Sequence, residues 1–137
     1  MRSLAAITFL APDYGAAVAW FRDALGFGVI EDRDMGGGKR WIVVAPASGA
    51  GARIIVAKAT SAAQIASVGA AAGDRVAYFL QTDDFAGDYA AMAARGVRFL
   101  ETPRVEDYGT VAVFQDPWGG KWDLIGRPAL GPEPGAP

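Results

Sequence analysis

Residues 9–13 read Phe-Leu-Ala-Pro-Asp and residues 79–83 read Phe-Leu-Gln-Thr-Asp, and this partial self-copy constrains the fold more than any other feature of the chain. Each run closes a short apolar strand pattern and opens a helical one. Each helical pattern stops at a glycine, Gly26 or Gly96. An apolar run ending in glutamate then follows: Gly-Phe-Gly-Val-Ile-Glu31 and Gly-Val-Arg-Phe-Leu-Glu101. Two copies of one supersecondary unit imply a two-module architecture, because each unit leaves an apolar face that needs a partner. The second constraint is an absence. The chain has no histidine and no cysteine, which removes most metal and nucleophile chemistry as well as disulfides.

Composition narrows the class. With 137 residues the chain fits one domain with a real core, and 52% apolar against 20% charged residues excludes disorder. A net charge of −2 gives no basic face for nucleic acid. No apolar run is long enough to span a bilayer. Met1-Arg2-Ser3, the apolar run Leu4 to Ala11, and Ala17-Val18-Ala19 faintly resemble a secretion signal. One arginine is a weak charged region, Asp13 interrupts before the small residues, and cleavage there would delete the first strand and half a helix. The expectation is a cytoplasmic protein.

Residues 4–10 alternate as a strand, with Ile7 and Phe9 on one face and Ala6, Thr8 and Leu10 on the other. Asp13 is placed to cap a helix in which Val18, Phe21 and Leu25 recur at helical spacing, and Gly26 ends it. Strands follow at 27–32, 40–45 and 53–58. Met35-Gly36-Gly37-Gly38-Lys39 joins the first two. It is no phosphate cradle, since its lysine leads into Arg40-Trp41-Ile42-Val43, a strand, rather than into Ser or Thr and a helix. The Ala-, Ser- and Gly-rich stretch 59–74 reads as a linker with a short helix at 61–67. Then the plan repeats. A strand at 75–82 leads to a helix capped by Asp84 with Phe85, Tyr89 and Met92 on its inner stripe. Strands follow at 97–101, 109–115 and 121–126, with a turn at Asp116-Pro117-Trp118-Gly119-Gly120. The tail 127–137 holds four prolines and no periodicity. The expected organisation is a single domain, 1–137, with modules at about 4–58 and 75–126.

Asp13 followed by Trp20-Phe21 and Leu25-Gly26-Phe27, the second helix ending in Arg95-Gly96-Val97, and Phe114-Gln115-Asp116-Pro117-Trp118-Gly119-Gly120-Lys121-Trp122-Asp123-Leu124 resemble the vicinal oxygen chelate superfamily. That group includes glyoxalase I, extradiol dioxygenases, fosfomycin-resistance enzymes and metal-free bleomycin-resistance proteins. The resemblance implies an α+β fold in which two βαβββ modules pair, within or between chains, into an open cup-shaped sheet with helices outside. It also implies a two-fold homodimer.

In metal-using members of the group, ligands project from the first and last strands of each module. The resemblance carries those positions to Ala6, to Ile54 or Ile55, to Ala77 or Val76, and to Asp123. A catalytic divalent ion needs about three protein donors. Ala, Val and Ile donate nothing, so no metal and no other cofactor is expected. What remains for the cup is an apolar lining with a few polar points. Thr8, Phe79 and Asp123 face inward by strand parity, Lys121 lies on the side of Asp123, and Trp41 can join them. Tyr108 and Trp118 sit in turns at the rim, with a dimer contact the other use of Trp118. Trp20, Phe21 and Trp122 read as core.

Asp123 has a bland reading as the ion-pair partner of Lys121, Arg53 or Arg75. Its functional reading is an anchor for a cationic or hydroxylated ligand, or an acid or base if poorly solvated. Glu31-Asp32-Asp34 and Glu106-Asp107 read as solvated charges. Three uses of such a fold follow: a metal-free binding protein for an amphipathic small molecule, as in bleomycin-resistance proteins; an enzyme that uses Asp123 or an atypical metal; and a non-catalytic scaffold for a protein partner.

Overall fold

A computed structural model describes residues 1–126, and the tail expected at 127–137 lies outside the described residues. The chain forms two compact units, one over Met1–Ala71 and one beginning at Ala72.

The first unit runs β1 (Ala6–Ala11), α1 (Tyr14–Asp23), β2 (Gly28–Asp34), β3 (Arg40–Ala45), β4 (Arg53–Lys58) and α2 (Ala62–Ser67). Its sheet has the order β1-β4-β3-β2. Strands β1 and β4 are parallel and the other pairs antiparallel. The local reasons are those of the sequence. Asp13 Oδ2 accepts the Ala16 amide at 2.8 Å and starts α1. Gly26, at φ 70°, and its counterpart Gly96, at φ 89°, take the left-handed conformation that turns each chain out of its helix. The buried stripe Ala17, Val18 and Phe21 faces the sheet. Phe21 lies edge-on to Phe9 with ring centroids 5.0 Å apart. Phe9, Ile42, Val44 and Val56 complete this core. Ser61 and Gln64 form a reciprocal capping box at the start of α2.

The second unit runs β5 (Val76–Thr82), α3 (Phe85–Ala94), β6 (Arg98–Phe99), β7 (Arg104–Glu106), β8 (Gly109–Gln115) and β9 (Lys121–Gly126). Strands β5, β9 and β8 are neighbours in that order, and both β6 and β7 pair with the far edge of β8. The core is an aromatic series from α3 into the sheet. Tyr89 meets Phe99 at 4.4 Å, Phe99 meets Phe114 at 5.7 Å, and Phe114 stacks on Trp122 at 5.7 Å. Tyr78 lies 4.5 Å from Trp122 on the same side. The architecture is α+β, two βαβββ-like modules with open mixed sheets.

One strand differs from expectation. The run expected at 97–101 is only two residues long, and a separate strand, β7, precedes the turn at Asp107-Tyr108. Pro103 has no amide to give to a ladder. The Glu101 side chain fills the gap instead, its Oε1 accepting the Val113 amide at 3.1 Å. A side-chain carboxylate thus replaces a backbone carbonyl, which no strand periodicity signals. Glu106, read as a solvated charge, lies in β7 and pairs with Arg104.

The turn between β8 and β9 is organised by one buried carboxylate. Asp116 Oδ1 accepts the amides of Trp118 at 3.0 Å and Gly120 at 2.9 Å, and Oδ2 accepts Trp122 Nε1 at 3.1 Å. A Cβ on Gly120 would come within 2.3 Å of Asp116 Oδ2, so only glycine allows this approach. Asp116→Ala strands these donors, and a buried unsatisfied polar group costs about 1–3 kcal/mol. The expected loss in urea unfolding, followed by tryptophan fluorescence, is therefore about 2–4 kcal/mol. A loss below about 0.5 kcal/mol, the size of an ordinary surface change, would remove Asp116 from this role.

Candidate functional site

Side chains at paired register positions share a face of a sheet, so the pairing assigns every candidate residue to a side. In the second unit Trp122 belongs to the aromatic core against α3. Its neighbours Lys121 and Asp123 therefore face the other way. Phe79 pairs with Asp123 across the parallel β5–β9 ladder, and Val113 pairs with Asp123 across the antiparallel β8–β9 ladder. Phe79, Asp123 and Val113 thus form a row on the face opposite α3. Phe79 is 66% exposed, whereas Asp123 is 8% exposed. This juxtaposition depends on a bulge in β5. Val76 pairs with Lys121 and Tyr78 with Trp122, leaving Ala77 as the extra residue.

Within its own unit Asp123 forms neither the expected ion pair with Lys121 nor that with Arg75. Lys121 Nζ donates instead to the backbone carbonyl of Asp74 at 2.9 Å. The register points the lysine along the same face, but its long stem carries the ammonium back to the chain entering β5. Among the described residues, Asp123 Oδ1 is buried without a hydrogen-bond partner. Burial raises the pKa of Asp123 above the ordinary carboxylate value. The positive charge of Arg104 opposes that rise and the negative charge of Glu101 adds to it.

Arg104, the cation whose charge acts on Asp123, is already held. Arg104 Nε lies 3.0 Å from both carboxylate oxygens of Glu101, and its Nη1 lies 2.5 Å from Glu106 Oε1. Glu101 is fixed in turn by the Val113 amide. Sequence reasoning did not select Glu101 or Arg104 as site residues. The one available signal was the glutamate that closes each repeated apolar run.

The remaining candidates are dispersed. Tyr108 lies in the β7–β8 turn and is exposed, and Trp118 is half-buried in the turn held by Asp116. In the first unit Phe9 faces α1, so Thr8 faces away. The pairings Thr8–Ile55, Ile55–Val43 and Val43–Glu31 make a row on the face opposite α1. Trp41, half-buried, pairs with Arg33 on the same side. Glu31 and Arg33 approach at 3.6 Å, and Asp32 pairs with Arg40 at 2.5 Å, so the acidic run of β2 is partly neutralised. An open hollow of about 660 Å³ beside Leu4 and Arg53 holds none of the predicted residues.

The donor set does not fit a metal. Ala6, Ala77, Val76, Ile54 and Ile55 carry no side-chain donor. Among the described residues no three acidic side chains converge as a cation site. What this arrangement can do is accept a hydrogen bond or a positive charge at Asp123 beside an exposed aromatic ring.

Comparison with known proteins agrees with the fold. The family model Glyoxalase/Bleomycin resistance protein/Dioxygenase superfamily matches residues 3–124. An uncharacterised protein from Shewanella frigidimarina is 40% identical over 125 residues, covering 90% of this chain and 93% of the relative. The crystal structure of UcmS2 superposes with a TM-score of 0.77 at 26% identity, over 91% of this chain and 98% of that one. TnmS3, described as an antibiotic binding protein from Streptomyces sp. CB03234, superposes with a TM-score of 0.74 at 23% identity, over 93% and 98% of the two chains.

The isolation of Asp123 predicts a pH signature. Its folded pKa is raised, so the folded state binds a proton more readily than the unfolded state, and this group's contribution to stability falls as pH rises between the two values. Asp123→Asn should therefore stabilise the protein at pH 7.5, by about 1 kcal/mol. The gain should shrink as pH falls towards about 4, the unfolded carboxylate value. Urea titrations across this range check it. A variant less stable than the parent at pH 7.5 would show that Asp123 has a compensating partner.

Proposed function

The chain belongs to the glyoxalase/bleomycin resistance protein/dioxygenase superfamily, and from that premise we propose that it is a metal-free binding protein for an amphipathic small molecule with an aromatic body and a neutral-to-cationic end. The observation that carries this reading is the pairing of exposed Phe79 with buried Asp123 across one ladder step. Burying apolar ligand surface on such a face contributes about 25 cal/mol per Å², and a few hundred Å² suffice for micromolar affinity when ordering costs are modest. Phe79 offers a stacking surface to a planar ring. The Asp123 carboxylate, 8% exposed, offers direction to an amine or hydroxyl and repels a phosphonate. The use of the same fold in an antibiotic binding protein, TnmS3, supports the scaffold's suitability for such a task. Thr8 and Trp41 are proposed as ligand contacts of the first unit taken by itself, on its face opposite α1. Tyr108, Trp118 and Lys121 are proposed as peripheral contacts on the second.

One observation favours a second reading. A carboxyl whose proton affinity is raised by burial can act as a general acid or base, so a metal-free reaction on the bound molecule is the alternative role for Asp123. The missing donors at the family's ligand positions argue against steps that need a polarised pair of substrate oxygens on a metal.

Tryptophan fluorescence titration tests the binding reading. The cation 9-aminoacridine should bind in the micromolar range, and fosfomycin, an anionic phosphonate, should not. Replacing both Phe79 and Asp123 by alanine should weaken the acridine by about 100-fold, the loss of one stacking and one charge contact. Tight fosfomycin binding, or an unchanged double variant, would place the ligand elsewhere.

We also propose a cytoplasmic two-fold dimer. Support comes from the edge strand β2, on which Val29 and Ile30 are 40% and 45% exposed. Among the described residues no helix is long and apolar enough to cross a membrane. Light scattering at tens of micromolar, a range of about 10–50 µM, should give twice the 14.3 kDa chain mass. A monomer mass would reject the dimer.

A further inference from the structure

Arg104 is close enough to Asp123 for its charge to be felt there, yet the two form no ion pair. The pairings Arg104–Val111 and Val111–Ile125 put Arg104 on the same face as Asp123, opposite α3. A free guanidinium at this place would turn to the unpartnered, buried carboxylate, since an uncompensated buried charge is costly. It is prevented from doing so by two other carboxylates. Glu101 takes Nε with both oxygens at 3.0 Å, and Glu106 takes Nη1 at 2.5 Å. Glu101 cannot follow Arg104 towards Asp123 without releasing the Val113 amide, which has no other ladder partner at that gap. The tether is therefore anchored to the backbone.

We propose that Glu101 and Glu106 are specificity-determining residues that hold Arg104 away from Asp123, so that this carboxylate is left without a protein cation and favours the ammonium or amidinium group of an aromatic cation lying on Phe79. The proposal rests on the binding role argued above and adds the reason for its charge preference. Arg104 is shared by Glu101 and Glu106, and Lys121, on the same face, has its ammonium on the Asp74 carbonyl, so neither cation sits on Asp123 and a ligand cation can take that place. A neutral aromatic ligand gains only the stacking surface. An anion meets a carboxylate where it would need a donor.

The test uses the whole protein, 9-aminoacridine as planar cation and phenazine as planar neutral probe. Glu101→Gln combined with Glu106→Gln removes the tether but keeps an acceptor for the Val113 amide, so the fold is retained. Freed Arg104 should then neutralise Asp123, and affinity for the cation should fall by about tenfold with phenazine unchanged. Adding Arg104→Gln should restore the cation to within about twofold of the parent. A loss that persists in the triple variant would mean that the glutamates act only through their bulk charge, and would overturn the proposal. A crystal structure of the double variant gives a readout independent of any probe. The Arg104 guanidinium should lie within about 4 Å of the Asp123 carboxylate, and its staying at its present position would overturn the proposal. If the parent protein binds neither probe while the crystal structure shows Arg104 turned to Asp123, the tether stands and the binding role itself fails.

Discussion

The carboxylate of Asp116 is the constraint on which the second unit depends. It gathers two turn amides and the Trp122 indole at one buried point. This sets where β9 begins relative to β8. A slip of one residue would send every β9 side chain to the opposite face. Trp122 would leave the aromatic core under α3, and Asp123 would be driven into it. The indole therefore does two things: it fills the core and it locks the register that puts its neighbour on the other side. Gly120 belongs to the same device, since any side chain there would displace the carboxylate.

The two sheets spend the face opposite their helix differently. In the first unit that face is a row of Thr8, Ile55, Val43 and Glu31 with Trp41 beside it, and Glu31 is matched by Arg33 on the same strand. In the second it carries a buried acid whose neighbouring arginine is committed elsewhere. Burying a carboxylate without a partner opposes stability. In the binding role we propose, a ligand cation offsets that cost and Phe79, the exposed ring beside it, receives the aromatic body. The lack of metal donors at equivalent positions leaves the acid to act on charge and hydrogen bonding alone.

Much of the fold was legible because it rests on local chemistry. Asp13 and Asp84 cap helices, Gly26 and Gly96 end them, and alternation in β1, β4 and β8 separates helix-facing from opposite-facing residues. Two halves with the same order of signals could satisfy their apolar faces only as two similar modules. That Ala6, Ile54, Ile55, Val76 and Ala77 carry no side-chain donor is a matter of residue type and holds in any conformation. The pairing of Asp123 with Lys121 was misread, because strand parity says which face a side chain leaves from but not where a flexible ammonium ends. Lys121 reaches Asp74, remote in sequence and near only in space.

The sequence by itself determined the modules, their capped helices and the residue types available to the face that carries Asp123, since each follows from residue type and spacing over a few positions. Only the tertiary structure decided which groups meet on that face. The bulge at Ala77 places Phe79 opposite Asp123, and the interruption of β6 and β7 lets Glu101 reach Val113 and hold Arg104. Both are properties of a ladder between distant strands. A register is a relation between two segments, and the energy that selects it comes from packing and hydrogen bonds across the whole sheet, which no single stretch of chain encodes.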